Sequence, residues 1–434
     1  SNSSRSFCRH NQHSQHPIAI MRYQSTISKY NVLNLYDALT RTVAQDSGMM
    51  LPEQIPVMPR AIISTLPAMH LVDMAYCVAA TLFGQDMEME TIRQIALKTY
   101  SHPMPLVRID KSIFSLELWH GPTGTVKDFG VEFMAGMLDH MVIRHGSKVK
   151  ILANATSNVA KSILHCYGNR PGYTCVLMIP RIGAGYTDLH TEGLKNVKLI
   201  NVRGTEHQCR QLIVEALNDA DLHSDGHLTA VSTQNIGALL PQIIHFFYGY
   251  SRAVAQGADP TQIVFSLPCG NMAGLTAAVL AKRMGLPIKR IIAAGNTNFH
   301  LPEYLETGIY QSNPVHRTIA HSIDISHPIN LPRLKYLYAD SHQNMSHDIE
   351  ARKYTDEEIN DAIITAECSM HYSLEPHSAC SFRALAECLK AGEHGIFLST
   401  ATPDAATATK HSNIGPVSPI PPVYNTLKQI LLKC

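Results

Sequence analysis

Lys127 is the side chain whose surroundings in this sequence best suit covalent chemistry. It lies in the segment HGPTGTVKDFG, where Gly121, Pro122 and Gly124 interrupt regular structure and apolar residues at helical spacing follow from Asp128. The pattern predicts a turn that leads from a β-strand into a helix, with Asp128 at the electropositive start of that helix. A lysine held in a cleft at such a turn loses hydration and has a lowered pKa. The resulting uncharged amine is what Schiff-base formation requires.

A loop with two glycines, CGNMAG, is the second candidate site. The apolar run at 263–267 predicts a buried strand before it, and a helical pattern follows from Leu275. Backbone N–H groups at such a helix start form an anion site, although an ordinary strand-to-helix turn has the same pattern. The residues predicted to surround the anion are Gly270, Asn271, Met272, Ala273 and Gly274.

Alternating β and α segments must position these two sites. Apolar runs at 149–152, 175–180 and 197–202 predict short buried strands, and helical patterns begin at Ala160 and cover 208–220. This alternation predicts an α/β fold with parallel sheets covered on both faces. From about residue 31 to residue 103 the pattern is mainly helical instead. Apolar residues recur there at positions that include Leu33, Leu35, Leu39 and Val43.

Composition excludes several classes of function. Charged residues make up 16% of the 434 residues and the formal net charge is +1, which gives no electrostatic reason to expect nucleic acid or a membrane as a partner. No apolar run approaches the ~20 residues that span a bilayer. The ten cysteines contain no CxxC pair, so reduced thiols in a cytoplasmic protein are expected. The 24 histidines include no HExxH motif, and no metal site is predicted.

The segment around Lys127 resembles HGPT-x-x-x-KDFG of the threonine synthases, which are pyridoxal-phosphate (PLP) enzymes of fold type II. The resemblance implies that Lys127 holds PLP covalently. The segment from Pro268 to Lys282 resembles the family's P-x-GN-F-G-[ND]-LTAG-x-LAK, which implies that the 270–274 loop binds the cofactor phosphate, with Met272 and Ala273 replacing Phe and Gly. Family threonine synthases have a further motif that matches GIFLSTATP. It implies that Thr400 hydrogen-bonds the pyridine nitrogen, although spacing alone fits a strand-end turn equally well.

The resemblance extends from about residue 21 to residue 403 and implies a domain organisation. The expected fold is tryptophan synthase β-like, with parallel sheets in two domains plus a helical N-terminal domain. The expected divisions are the N-terminal domain at 21–103, a large PLP-binding domain at 104–140 and 240–434, and a small domain at 141–239. Residues 1–20 are polar, basic and free of acids, and we expect a disordered tail, a transit segment or an expression remnant there.

The substrate half of the expected site departs from the family pattern. Family members have ATSGDTG where small residues at a helix start receive the substrate carboxylate; here Thr156 and Ser157 are kept but Asn158 follows them. These three residues are the predicted substrate-binding group. Ala238 stands where the family has arginine, the side chain whose planar fork suits a carboxylate or a phosphate. The 181–186 loop is also altered.

The resemblance implies a lyase that converts O-phospho-L-homoserine and water to L-threonine and phosphate. Its expected cofactor is PLP and its expected partner is a small amino-acid phosphate, with neither nucleic acid nor a membrane. Two alternatives remain open because of the altered loops. One is a PLP-dependent phospholyase or other amino-acid lyase with a different substrate, and the other is a degenerate paralogue without activity. A monomer and a homodimer are equally compatible with the sequence.

Overall fold

A computed structural model describes residues 20–155, 158–182, 189–404 and 418–434. The segment 1–20 that the sequence sets aside therefore lies outside the described residues, apart from Ile20. The strands are β1 (Tyr23–Ser25), β2 (Val32–Leu33), β3 (Met50–Pro52), β4 (Leu106–Arg108), β5 (Ile113–Glu117), β6 (Val149–Asn154), β7 (Tyr173–Pro180), β8 (Val197–Val202), β9 (His227–Ala230), β10 (Ile263–Pro268), β11 (Arg290–Asn296), β12 (Ile349–Tyr354) and β13 (His394–Ser399). The helices are α1 (Leu35–Arg41), α2 (Arg60–Ile63), α3 (Leu71–Phe83), α4 (Met89–Thr99), α5 (Lys127–Met141), α6 (Asn158–Tyr167), α7 (Glu206–Leu217), α8 (Ile236–Leu239), α9 (Ile243–Ala255), α10 (Ala273–Arg283), α11 (Leu301–Thr307), α12 (Leu331–Leu337), α13 (His342–Asp348), α14 (Asp356–Met370), α15 (Pro376–Cys388) and α16 (Tyr424–Leu431).

The largest sheet has six strands in the order β12-β11-β10-β13-β5-β4, and only β4 runs antiparallel to its neighbour. Its central strands are apolar along their length because both faces are covered. Val264 and Ile292 pack with α14 and α15, whereas Phe265 and Ile291 belong to the cluster that includes α9 and α10. The α/β class with parallel sheets predicted from the sequence is therefore confirmed.

A second sheet has four parallel strands in the order β8-β7-β6-β9. One of its faces carries Leu152 and Val176, which pack against α7 and against Leu427 and Leu431 of α16. The Lys150 ammonium donates a hydrogen bond to the Leu431 carbonyl at 2.8 Å. The sequence assigns the whole of 240–434 to the large domain, and for 418–434 we propose the small domain in its place. The apolar stripe of α16 is buried on the small sheet instead.

The N-terminal region is less helical than its sequence pattern predicts. A three-stranded antiparallel sheet in the order β2-β1-β3 precedes and follows α1. Leu33, predicted to lie in a helix, pairs with Tyr23 in this sheet. The side chain of Asn34 accepts a hydrogen bond from the Asp37 N–H and so caps α1, which ends where Thr42 has a φ of 69°. The helical prediction is right for α1 to α4 and wrong for the strands.

We propose three domains with the boundaries given above, apart from the reassigned 418–434 segment. The six-stranded sheet is built from 106–117 and 263–399, and the four-stranded sheet from 149–230. These spans support a large domain that the chain leaves and re-enters around a small one. In the described part of the chain, no helix combines the length and the apolarity that a membrane crossing requires.

Candidate active site

Lys127 is the first residue of α5, directly after the turn that follows β5. Gly124 in this turn has a φ of 72°, a conformation that favours glycine. The Asp128 carboxylate fixes the turn, since it accepts hydrogen bonds from the Thr123 N–H at 2.9 Å and from the Thr123 hydroxyl at 2.6 Å. It also accepts one from the Ser162 hydroxyl of α6 at 2.6 Å. Asp128 therefore holds the lysine-bearing turn against the small sheet's first helix.

The Lys127 amine faces a cavity between the two sheets. Within the described residues its Nζ atom makes no hydrogen bond or ion pair, and its backbone N–H donates to the Thr125 hydroxyl at 3.3 Å. Burial lowers the pKa of the Lys127 amine below its ordinary value because no carboxylate compensates for the lost hydration. The amine is therefore easier to deprotonate than an exposed lysine, as the sequence predicts.

The 270–274 loop connects β10 to α10, and α10 starts two residues earlier than predicted, at Ala273. Met272 caps the helix with a φ of 61°, so the left-handed residue is Met272, and Ala273 has an ordinary helical backbone. The Ala273 N–H donates to the Asn271 side chain at 3.0 Å. The N–H groups of Gly270, Asn271, Met272 and Gly274 donate to no acceptor in the described part of the chain. This loop therefore presents free donors at a helix start.

Contacts behind the loop hold it in this shape. A Cβ on Gly270 would lie 2.9 Å from the Ile323 Cα, so only glycine fits there without a shift of the backbone. The Asn271 carbonyl accepts a hydrogen bond from the Asn330 N–H at 3.1 Å, and the Asn271 side chain donates to the Thr233 hydroxyl at 3.3 Å. The Asn271 side chain is thus occupied, and only its backbone N–H remains for a ligand.

Arg333 supports the same region from within the core. Its guanidinium is fully buried and donates hydrogen bonds to the carbonyls of Thr233 at 2.5 Å and Gln234 at 2.6 Å. Another bond reaches the Met50 carbonyl of β3 at 2.9 Å. Arg333 therefore joins the N-terminal sheet to the backbone that lines the cavity beside Asn271.

Thr400 follows β13 and lines the same cavity. Its carbonyl accepts a hydrogen bond from the Val126 N–H at 2.9 Å, and its N–H donates to the Ser378 hydroxyl at 3.1 Å. These bonds place Thr400 beside the residue that precedes Lys127. Its own hydroxyl makes no hydrogen bond to the residues that the structure describes, so it is available to a ligand.

The cavity brings together the predicted cofactor-binding residues from three separate parts of the chain. Its space is about 1390 Å³ including the opening to solvent. Its lining includes Lys127, Gly270, Asn271, Met272, Ala273, Gly274 and Thr400. This juxtaposition follows from the sheet, since the turns after β5, β10 and β13 lie at the carboxyl ends of parallel neighbouring strands.

The predicted substrate residues are described only in part. Asn158 is the first residue of α6 and lines the cavity, whereas Thr156 and Ser157 lie outside the described residues. Residues 183–186 of the altered loop also lie outside them. Ala238 is 3% exposed on α8, where its carbonyl would be 2.6 Å from a Cβ on Gly130. Ala238 is not among the described residues that line the cavity.

Four ionisable residues of the cavity wall were not singled out from the sequence: Glu206, Arg210, His245 and His377. Burial lowers the pKa of His245 to about 3, and its Nε2 atom has no partner among the described residues. His377 is held on both sides, because its Nδ1 bonds the Glu375 carboxylate and its Nε2 accepts from the Ser322 N–H at 3.0 Å. His245, a polar residue within an apolar helical pattern, gave an available signal, whereas Arg210 lies among polar residues at the start of α7 and gave none.

The donor groups in this cavity fit PLP. The free N–H groups at the start of α10 suit a phosphate, the Lys127 amine with its lowered pKa suits an aldehyde, and the Thr400 hydroxyl suits a ring nitrogen. The fit rests on unused hydrogen-bond donors that point to one space.

Family models match nearly the whole described chain. The model for pyridoxal-phosphate dependent enzymes matches residues 99–397, and the model for the threonine synthase N terminus matches residues 22–100. The second match covers the region that combines the small antiparallel sheet with α1 to α4.

Individual relatives agree with these matches. The chain is 30% identical over 373 residues to the threonine synthase of Escherichia coli K12, covering 84% of this chain and 85% of that protein. It is 28% identical over 397 residues to the threonine synthase of Haemophilus influenzae, covering 91% and 92%.

Solved structures share the fold. The crystal structure of threonine synthase from Escherichia coli has a TM-score of 0.84 and 25% identity, covering 95% of this chain and 100% of that one. The PLP-bound threonine synthase from Brucella melitensis has a TM-score of 0.82 at 24% identity, covering 95% and 99%, which shows the fold alone. The chain belongs to the threonine synthase family of pyridoxal-phosphate dependent enzymes.

Proposed function

We propose that this chain is a threonine synthase, which uses PLP to convert O-phospho-L-homoserine and water to L-threonine and phosphate. The observation that carries the proposal is the cavity that joins the Lys127 amine, whose pKa burial lowers, the free N–H groups of the 270–274 loop and the Thr400 hydroxyl. This arrangement occurs in a member of the threonine synthase family. Neither the lyase of different substrate nor the inactive paralogue gains support from the relatives.

Each residue has a proposed role in holding the cofactor. Lys127 would hold PLP covalently, and the N–H groups of Gly270, Asn271, Met272 and Gly274 would bind its phosphate. Ala273 contributes to the loop without a free N–H, since that group bonds Asn271. Thr400 would bond the ring nitrogen through its neutral hydroxyl. Asn158, with Thr156 and Ser157 outside the described residues, would bind the amino-acid end of the substrate.

When bound, PLP supplies an electron sink that makes the protons beside an amino-acid nitrogen acidic. Lys127 is placed to accept the α-carbon proton of a bound amino acid, because it lines the cavity and burial lowers the pKa of its amine. The same amine can return a proton to the neighbouring carbons. His377 has both ring nitrogens occupied, so it supports the cavity wall and does not exchange protons with the substrate.

The test is an assay of the purified protein loaded with PLP. We expect O-phospho-L-homoserine to yield L-threonine and inorganic phosphate in equal amounts. Phosphate accompanied by 2-oxobutyrate would contradict the proposal in favour of a different lyase. A protein that binds PLP but turns over nothing would contradict it in favour of the inactive paralogue.

We also propose a cytoplasmic location. The cysteines of the described residues are all free thiols, which suits a reducing compartment. The oligomeric state, a monomer or a homodimer, stays a prediction that light scattering of the purified protein would measure.

A further inference from the structure

We infer that Arg210 binds the phosphate group of the substrate. The inference rests on the proposed function and names the anion subsite of the same cavity. Arg210 is the only arginine among the described residues of the cavity wall. It lies on α7, the helix that packs against the four-stranded sheet. The subsite for the substrate phosphate would therefore lie on the side of the cavity formed by the four-stranded sheet, whereas the 270–274 loop belongs to the six-stranded sheet.

The guanidinium of Arg210 is buried without a hydrogen bond. The residue is 9% exposed, and its Nε atom is inaccessible and has no partner in the described residues. No hydrogen bond of its terminal nitrogens occurs in that part of the chain either. Its nearest carboxylate is Glu206, one helical turn earlier, with an Nε to Oε1 distance of 3.9 Å. That distance is too long for a hydrogen bond, so the donors of the fork remain free.

Among the described residues Glu206, at 3.9 Å, is the ion-pair partner of this cation, and the free donors can still bind an anion from outside the chain. Arginine keeps its charge at any pH a protein tolerates, and a buried charge without hydrogen bonds is strongly unfavourable. Arg333, the other buried arginine of the described residues, donates hydrogen bonds to three carbonyls. Arg210 differs from Arg333 because its free donors line the reaction cavity.

Arg210 also supplies the guanidinium that the family has at the position of Ala238. The family resemblance leads one to expect arginine at position 238, and alanine provides no donor there. The two residues lie on different helices, α8 and α7, and only Arg210 reaches the cavity among the described residues. The cavity therefore has a guanidinium contributed by α7 instead of α8. The planar fork of that guanidinium suits a pair of phosphate oxygens.

The position of Arg210 separates its anion from the cofactor phosphate. The free N–H groups for the cofactor belong to α10, whereas Arg210 lines both the reaction cavity and a second, outer cavity, together with Ile329. In the outer cavity the rings of His207 and His327 stack at 4.2 Å. The positive charge of Arg210 contributes to lowering the pKa of both rings, after burial and, for His207, the His327 ring. Arg210 thus places a positive charge where the reaction cavity meets the outer cavity.

The test compares the PLP-loaded wild type with Arg210→Met. We expect the variant to raise the KM for O-phospho-L-homoserine and the inhibition constant of inorganic phosphate by about 10- to 100-fold, as loss of charge-assisted hydrogen bonds predicts. Binding of L-threonine, which has the carboxylate but no phosphate, should keep its dissociation constant, measured from the shift in cofactor absorbance. Arg210→Lys should give an intermediate inhibition constant, since it retains the charge but loses the fork.

The matched control is Arg203→Met, an exposed arginine after β8 whose guanidinium bonds the Pro419 carbonyl at 3.1 Å. It should leave all three constants unchanged. Equal phosphate inhibition of wild type and Arg210→Met would overturn the inference, and so would an equal loss of L-threonine binding, which would assign Arg210 to the carboxylate. If Arg210→Met does not fold, Arg210→Lys decides by the same constants. A wild type that makes no threonine would refute the proposed function, whereas phosphate binding to it would still test Arg210.

Discussion

At the scale of single residues, the reactivity of Lys127 depends on the absence of a carboxylate partner for its amine among the described residues. The amine is buried in the cavity wall, and no carboxylate of the described residues forms an ion pair with it. The carboxylate of Asp128, the next residue, accepts hydrogen bonds from Thr123 and Ser162 instead. An acid that neighbours the amine in sequence is thus kept away from it in space, and the lowered pKa of Lys127 follows.

Replacing Lys127 should remove both the covalent cofactor and the activity. In Lys127→Ala we expect the visible absorbance of enzyme-bound PLP to disappear and threonine formation to fall by at least about 10³-fold, since a covalent and a proton-transfer group are lost together. Absorbance spectra and the O-phospho-L-homoserine assay measure these two effects. Lys98→Ala, on the exposed surface of α4, is the control and should keep both. A persistent absorbance band in Lys127→Ala would disprove the assignment.

At the scale of elements, the 270–274 loop, which we propose binds the cofactor phosphate, is shaped by what packs behind it. The start of α10 has free N–H groups because Met272 adopts a φ of 61° and turns the chain into the helix. Gly270 permits this approach, since the Ile323 backbone comes within 2.9 Å of where its Cβ would be. The anion site is therefore a property of two segments, the loop and residues 322–323, which are far apart in sequence.

Gly270→Ala should weaken PLP binding by displacing the loop from Ile323. The added methyl meets backbone and Cβ atoms that cannot rotate away, and overpacking of this kind costs about 1–3 kcal/mol. We expect about a tenfold or greater increase in the PLP dissociation constant, measured by absorbance titration. Gly274→Ala gives the contrast, because its methyl would meet only a side-chain methyl of Leu267 at 3.1 Å. If Gly270→Ala binds PLP as tightly as Gly274→Ala does, the packing explanation is wrong.

At the scale of the whole molecule, one buried ion cluster joins three strands that are distant in sequence. Arg290 begins β11 and donates to Glu393, just before β13, with distances of 3.2 and 2.7 Å, and to Glu350 of β12 at 2.7 Å. The Glu393 side chain is completely buried, and Glu350 is 32% exposed. Burial alone would raise the pKa of Glu393, but the hydrogen bonds from Arg290 hold it at about 2. The cluster therefore stabilises the sheet that positions all three cofactor-binding turns.

Glu393→Gln should destabilise the fold by about 3 kcal/mol at pH 7, because it leaves the buried Arg290 charge without its main partner. Glu350→Gln, which changes a partly exposed partner of the same arginine, should cost less than about 1 kcal/mol. Since the folded pKa of Glu393 lies below its ordinary value of 4.5, its contribution is complete above pH 4.5 and is lost as the pH falls toward 2. Urea denaturation at several pH values measures both effects. Equal losses in the two variants would refute the bidentate pairing as the cause.

The sequence alone determined the features that are local in the chain. The turn at Lys127, the strand before the 270–274 loop and the apolar runs of the parallel sheets were predicted, because periodicity and turn residues report on a few neighbouring positions. The resemblance to threonine synthases added the cofactor and the family, both of which agree with the matches. The same local signals failed at Leu33, where pairing with Tyr23 overrides the helical pattern.

The tertiary structure decided the features that depend on distant contacts. The positive φ fell on Met272 because the Asn271 side chain captured the Ala273 N–H. Residues 418–434 went to the small sheet because α16 has an apolar stripe that only that sheet covers. Arg210 was one arginine among many in the sequence, and only burial without a hydrogen bond, in the wall of the lysine's own cavity, marks it as a candidate anion-binding residue. Burial and unsatisfied donors are properties of packed neighbours, and no local pattern of residues contains them.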